Sequence, residues 1–318
     1  MDLIGAAGLT VGMKQTYSRR LLERALPSFV HMLYGDKNGL PTGGGKSIEW
    51  RRYERPSAAT TALTEGTAGA ETNVTISNVQ ATISQYGAYD KFSDLVDTQN
   101  FDPFIAQETD VFGEQMGDTL DQIVRNVMAG GTTVQYASIA LTRGGASGVA
   151  SGMYLNFAEI REVVDTLRRN DARPFEDGNY VGIIHPDTER DMFADSDIVT
   201  TFQQAGVRGD GNQMMRGEAG VFHGIKWVRT SNARIFSSVG KSGADVYGTM
   251  VFGKGFYGVL DLDAARPQVI VKQVGSSGAD DPLNQYGSIG WKAAITAAIL
   301  DQNFGVRIEH VTSRKNAA

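Results

Sequence analysis

Asp102-Pro103 and Gly130-Gly131 bracket one long periodic segment, and any fold this chain adopts must accommodate that segment as a rod. Aspartate is an N-cap residue and proline suits the first helical position, while a glycine pair ends a helix as clearly as any residues can. Between them Phe104, Val111, Phe112, Met116, Leu120, Ile123 and Val127 form the expected apolar stripe. About twenty-six residues at 1.5 Å each give roughly 40 Å of helix, longer than the usual globular helix and able to brace a whole subunit.

The rest of the chain must be built around that rod. Its 318 residues exceed what one ordinary core holds and point to two lobes or one irregular body. Hydrophobic residues make up 41% and charged residues 21%, with 38 glycines and 8 prolines, a globular composition rich in turns. No apolar run is long enough to span a membrane, and Met1 to Met13 lack the basic start and apolar stretch of a signal peptide. Synthesis in the cytosol, without export by that route, is therefore expected. The absence of cysteine excludes disulfides, thiolate metal sites and cysteine nucleophiles. A net charge of −6 and a pI near 5.3 give the whole chain no drive toward phosphate backbones, which disfavours a dedicated nucleic-acid reader but leaves room for one local basic face.

Ahead of the rod, Met13, Tyr17, Leu21, Leu22 and Leu26 recur at helical spacing, with Lys14, Arg20 and Arg24 elsewhere and Pro27 as the stop. This short amphipathic helix lies either on its own domain or on a neighbouring subunit. After Gly43-Gly44-Gly45, residues 46–55 have strand character and Pro56 ends it. A small polar stretch runs to Asn73 before alternation returns at Val74, Ile76, Val79, Ala81 and Ile83. Two strand-like arms around a weakly hydrophobic tip bury too little to fold alone, so the segment is a mobile loop or a ribbon ordered against a partner. Lys46, Glu49, Arg51, Arg52, Glu54 and Arg55 put both signs of charge on it, as solvated charge or as salt bridges to adjacent subunits. With Glu65, Arg20 and Arg24 they form the set expected at an intersubunit interface.

Beyond the rod, the passage from Gly130 to Gly152 is rich in Gly, Ser and Thr and suits a domain boundary. Asn156 and Glu159 then suggest a capping box ahead of Ile160, Val163, Val164 and Leu167. A strand is expected over 180–184, then a short helix after His185-Pro186, a glycine-rich stretch over 206–220 and a strand over 224–230. Further strands are expected over 246–252, 269–274, 287–300 and 306–311, with no long helix and no fixed-period repeat. The order is arm, ribbon, rod, inserted α/β lobe and returning strands.

Recognisable chemistry is missing. Gly43-Gly44-Gly45-Lys46-Ser47 imitates the end of a P-loop, yet the required first glycine falls at Leu40 and a strand, not a helix, follows Ser47. His31, His185, His223 and His310 have no second histidine or carboxylate at metal-ligand spacing. Ser238-Val239-Gly240-Lys241 lacks the elements that give Ser-x-x-Lys meaning. Asp195 with Asp197, and Asp261 with Asp263, do not extend into a calcium loop. Arg208-Gly209-Asp210 and the sequon Asn73-Val74-Thr75 carry no weight without secretion. No catalytic residue, cofactor or metal is expected, although a soluble α/β enzyme whose carboxylates converge only in the fold stays open as an alternative.

Several short stretches, in order along nearly the whole chain, carry a resemblance. They are Phe29-Val30-His31, Gly45-Lys46-Ser47-Ile48-Glu49-Trp50-Arg51-Arg52-Tyr53, Leu63-Thr64-Glu65-Gly66, Gln85-Tyr86-Gly87 and Ser93-Asp94. Later come His185-Pro186, Phe252-Gly253-Lys254, Asp281-Pro282-Leu283 and Gly287-Ser288-Ile289-Gly290-Trp291-Lys292. In these the chain resembles the major capsid proteins of tailed bacteriophages, specifically the N4-type phage family.

The resemblance implies the α+β capsid fold of the Hong Kong 97 type. It assigns residues 1–40 to an N-terminal arm, 41–92 to an extended loop with flanking strands, and 93–150 to a peripheral domain with its spine helix. Residues 151–254 would be the axial domain, and 255–318 would return strands to the peripheral domain. It further implies a virion protein made in the host cytoplasm, self-assembling as hexamers and pentamers into an icosahedral shell. The expected partners are further copies of itself, a portal, an optional decoration protein and packaged double-stranded DNA touched non-specifically, with no membrane. The prototype of the fold starts with a long removable scaffolding segment, whereas here the arm helix starts almost at once, so a separate scaffolding protein is expected. A cellular encapsulin-type compartment is the alternative within the same fold.

Overall fold

The computed structural model describes residues 29–39, 45–54, 56–66, 69, 71–94, 104–200, 220–260, 267–275 and 283–314. The amphipathic helix expected over 13–26, with Arg20 and Arg24, lies outside them, as do Arg55, the Asp102-Pro103 helix start and most of the glycine-rich 206–220 stretch.

The rod is helix α1, Phe104–Met128, 25 residues long. Its buried face runs through Thr109, Gly113, Met116, Gly117, Leu120, Asp121, Val124 and Met128. The expected stripe needs correcting at two places. Val111 is 66% exposed on the far side, while Val124 and Met128, absent from the expected stripe, are fully buried. The helix lies on strand β13 (Tyr286–Ile295), the middle of a three-stranded antiparallel sheet between β12 (Gln268–Lys272) and β4 (Ser84–Ser93). Met116, Leu120, Val124 and Met128 pack with Phe252, Phe256, Tyr257, Trp291, Ala293 and Ile295 in one core. Each of the Leu, Val, Met, Phe and Ile side chains among them contributes roughly 1.5–3 kcal/mol by leaving water. The Trp291 indole N–H donates to Gln115 Oε1 at 3.0 Å, so the largest ring of that core has its polar atom satisfied.

A second core covers a seven-stranded mixed sheet in the order β5-β15-β10-β6-β8-β7, with β9 also paired to β10. These strands are β5 Val134–Tyr136, β6 Tyr180–Ile184, β7 Val221–Phe222, β8 Ile225–Arg229, β9 Arg234–Phe236, β10 Val246–Phe252 and β15 Gly305–His310. Helix α2, Phe157–Arg169, lays Ile160, Val163, Val164 and Leu167 on the sheet. Only half of the expected capping box forms. The Asn156 side chain accepts from the Glu159 N–H at 3.0 Å, but the Glu159 carboxylate instead accepts from the Ser138 N–H and from Gln135 Nε2, both at 2.6 Å. The glycine-rich connection is thereby tied to α2. Helix α3, Pro186–Met192, starts as expected at His185, whose Nδ1 accepts from the Asp187 N–H at 3.1 Å.

Two strands of this sheet come from outside residues 151–254. β15 pairs antiparallel with β10 and parallel with β5, which follows the end of α1. A smaller sheet, β1 (Asp36–Asn38), β11 (Tyr257–Leu260) and β14 (Ala297–Ile299), sits at the base of the ribbon strands β2 (Ser47–Tyr53) and β3 (Ile76–Thr82). The expected 287–300 strand divides at Thr296 into β13 and β14. Within the stretch expected as an extended loop with flanking strands, 41–92, the pairing changes at Ile83: β2 and β3 pair only with each other, and β4 joins β13 over ten residues.

Candidate assembly surfaces

Strands β2 and β3 pair antiparallel from Ser47 opposite Thr82 to Tyr53 opposite Ile76. One face of this ribbon is anchored. Ile48 and Trp50 are buried against Leu260, with Ala81, Ile83, Ala298 and Leu300 around them. Gly258 makes the anchorage possible, because a Cβ there would lie 2.5 Å from the Trp50 ring. Past Tyr53 the support ends, and all described residues from 56 to 75 are exposed, Leu63 at 80%. Residues so exposed cannot stabilise one another, so their ordering must come from another molecule or be forgone.

The charged residues expected at an interface are treated unequally. Lys46, Arg51 and Glu65 are exposed. Glu49 is half-buried, and its carbonyl accepts from Asn38 Nδ2 at 3.1 Å. Glu54 accepts from Ser77 Oγ at 2.6 Å across the ribbon. Arg52 is committed within its own chain: its guanidinium meets the buried Asp301 carboxylate at 2.7 Å and lies 6.0 Å from the Phe304 ring centroid. It borders a cleft of about 750 Å³ in which Arg51, Arg173 and Lys254 are balanced by Asp36, Glu54 and Asp171. Burial raises the Asp36 carboxyl, an effect that the Lys254 ammonium partly offsets.

The outer face of the β12-β13-β4 sheet is a second open surface. Odd-numbered residues of β13 face α1 and are buried, while Tyr286, Ser288, Lys292 and Ala294 face outward and are half-buried or exposed. Register sets Ile270 and Tyr89 on either side of Gly290, and Lys272 and Lys91 on either side of Ser288.

Two buried polar groupings hold these surfaces in place, and sequence reasoning found neither. Asp121 on α1 accepts from the His31 backbone N–H at 2.7 Å and pairs with His31 Nδ1 at 2.8 Å, while the His31 carbonyl accepts from the Tyr257 hydroxyl. This fastens the chain just before β1 to the rod. At the other end of α1, buried Arg307 donates to the carbonyls of Ala129 and Gly131, the latter at 3.0 Å. A cation there meets the helix's negative end and its unpaired carbonyls together. Glu309 neutralises it, accepting from Arg307 Nε and from Arg143 Nε at 2.7 Å each. Arg143 in turn stacks 3.7 Å over the Phe236 ring, and its bond to Glu309 raises its pKa further. His31 with Asp121 and Arg143 with Glu309 are 90 and 166 residues apart, separations that no local pattern reveals.

Among the described residues no cluster of three or more His, Asp or Glu could hold a metal ion, and no helix is long and apolar enough to cross a membrane. Ser47 begins a strand, so the Gly-Lys-Ser imitation of a P-loop has no helix N-terminus behind it.

No curated protein matches the chain. Among solved structures, the capsid of Ralstonia phage GP4 is similar at a TM-score of 0.68 and 13% identity, over 90% of this chain and 87% of that one. The Cyanophage Pam1 capsid asymmetric unit is similar at 0.68 and 15% identity, over 99% and 97%. The head structure of Helicobacter pylori bacteriophage KHP40 is similar at 0.66 and 10% identity, over 84% and 86%. At such identities the likeness establishes the fold, the Hong Kong 97 type expected from the sequence. The model of the phage capsid protein family matches residues 76–308, from the second strand of the ribbon to the last strand of the mixed sheet. The rod, the ribbon and the two sheets around them are therefore those of a shell protein, and this chain belongs to the phage capsid protein family.

Proposed function

We propose that this chain is the major capsid protein of a phage head, with many copies tiling hexameric and pentameric rings into an icosahedral shell around packaged double-stranded DNA. The observation that carries this reading is the ribbon: a fixed base at Trp50 and a tip whose described residues between 56 and 75 are all exposed. Such a tip has a purpose only when a neighbour receives it. Residues 41–92 then serve as the extended loop, α1 as the spine helix and 151–254 as the axial domain, with Lys46, Arg51 and Glu65 available to adjacent subunits. The role is structural and not catalytic. A separate scaffolding protein, a portal and an optional decoration protein are the further partners in this reading.

Deleting 58–71 tests it. The subunit should fold with unchanged thermal stability, because the described residues removed are all exposed, and closed shells should vanish from electron micrographs of protein co-expressed with its scaffold. Normal shells from the deletion variant would refute the role given to the ribbon. The absorbance ratio of purified particles separates a DNA-filled head from a compartment of the encapsulin type holding an enzyme.

A further inference from the structure

Arginines gather where the end of α1 meets β9 and the loop before it, and one carboxylate, Glu309, neutralises only two of them. Around the Phe236 ring, Arg143, Arg234 and Arg307 stand 3.7, 4.9 and 5.7 Å from the centroid. Glu309 serves Arg143 and Arg307 together. Arg234, at the start of β9, and Arg125, in the last turn of α1, form no ion pair with any carboxylate among the described residues. Asp121 is taken by His31, and Asp118 accepts from Asn232 Nδ2 at 3.1 Å.

What Arg125 and Arg234 share is Asn126. Its side-chain oxygen accepts from Arg125 Nε at 3.3 Å, from Arg125 Nη2 at 3.1 Å and from Arg234 Nη1 at 3.1 Å. Three guanidinium N–H groups thus converge on one neutral oxygen, an arrangement that suits a charged one better. Arg125 Nη1 also donates to the Asn232 carbonyl at 2.9 Å, which holds the two chain segments, and so the two cations, together. Arginine keeps its charge at neutral pH, so the pair cannot relieve its repulsion by losing a proton. Burial first, and the Arg234 charge second, lower the Arg125 pKa, an effect that Asp121 partly offsets. Both arginines are half-buried and Asn126 is exposed, so the place opens to solvent.

We propose that Arg125 and Arg234 together bind one phosphate group, whose oxygens take over the guanidinium N–H groups that Asn126 now holds. A carboxylate brings one charge and two oxygens. A phosphate group brings up to two charges and three oxygens, enough for both guanidinium forks. Its source is either free phosphate or a nucleic-acid backbone.

Titration calorimetry on unassembled full-length subunits tests the site, with sodium phosphate added at an ionic strength held constant by chloride. One phosphate should bind per subunit, and Arg234→Gln should weaken binding by about tenfold or more, as expected for loss of a charged hydrogen-bond donor. Asn126→Asp sets a carboxylate at the shared position and should abolish phosphate binding. In phosphate-free buffer the same change should raise the subunit melting point by about 1–3 °C. An aspartate in the last turn of a helix ordinarily destabilises it, so a rise reports the unneutralised arginines and a purely structural Asn126 predicts a fall. No binding beyond that of chloride, equal binding in wild type and both variants, or an Asn126→Asp variant that melts lower would overturn the site. If Arg234→Gln fails to fold, Asn126→Asp decides alone. A short DNA duplex separates the sources: displacement of bound phosphate from the wild type identifies a nucleic-acid backbone as the occupant, and no displacement identifies the free anion. Both of these outcomes uphold the site, and failure of the site leaves the shell-forming reading intact.

Discussion

His310 shows how one residue couples the mixed sheet to pH. The ring is buried on β15, where only Nδ1 can donate to the Val311 carbonyl at 3.0 Å, so Nε2 accepts from Thr249 Oγ1 at 2.9 Å and the neutral form is built in. Burial pushes its pKa from 6.5 down to about 4. Above pH 6.5 both folded and unfolded chains carry the neutral ring and no stability is lost. As pH falls from 6.5 toward 4 the unfolded chain takes up a proton that the folded chain refuses, and on the order of 3 kcal/mol disappears. Urea midpoints between pH 7 and pH 4.5 should therefore fall in the wild type, and less steeply in His310→Gln; equal slopes would show that another group is responsible. Glu309 makes the complementary case for charge. Glu309→Ala strands Arg307, and the subunit should lose about 3–5 kcal/mol in denaturant melts. Neither group was legible beforehand, since His310 has no flanking partner in sequence and Glu309 acquires Arg143 only when distant segments meet.

Elements were easier to foresee than the faces they turn inward. The glycine pair after α1 and the caps of α2 and α3 are local signals, and they mark helix ends correctly because capping involves neighbours in sequence. The buried face of α1 is set by the sheet beneath it. Gly113, Gly117, Thr109 and Asp121 lie on that face, so a search for apolar residues alone drifts toward Val111. Leu120→Ala should accordingly cost about 2–5 kcal/mol in subunit stability, whereas Val111→Lys should stay within about 0.5 kcal/mol. A large loss from the Val111 change in isolated subunits would contradict the assigned face. β4 went unrecognised because most of its ten residues are exposed on both faces; its strand state comes from the ladder to β13 and not from alternation.

For the whole molecule, the order of arm, ribbon, rod, lobe and returning strands could be read in the sequence, and the strand expectations over 246–252 and 306–311 correspond to β10 and β15. The crossing of chain segments into one sheet could not, because β5 and β15 meet across more than 160 residues. Subunit folding and shell formation should separate under salt. Raising sodium chloride from about 0.1 to 1 M shortens the screening length from about 10 to 3 Å. It should weaken association through exposed ribbon charges while moving the subunit melting point little, a contrast that sedimentation and calorimetry on one preparation would reveal. The ribbon is also a lever, with its fulcrum where Trp50 bears on Gly258. From Trp50 to Tyr53 the strand reaches about 10 Å, so a tilt of about 10° at the tryptophan swings Tyr53 by about 2 Å and the tip beyond it further. A subunit hinged in this way can meet neighbours at different angles by rocking one ring on one glycine, with both hydrophobic cores left undisturbed.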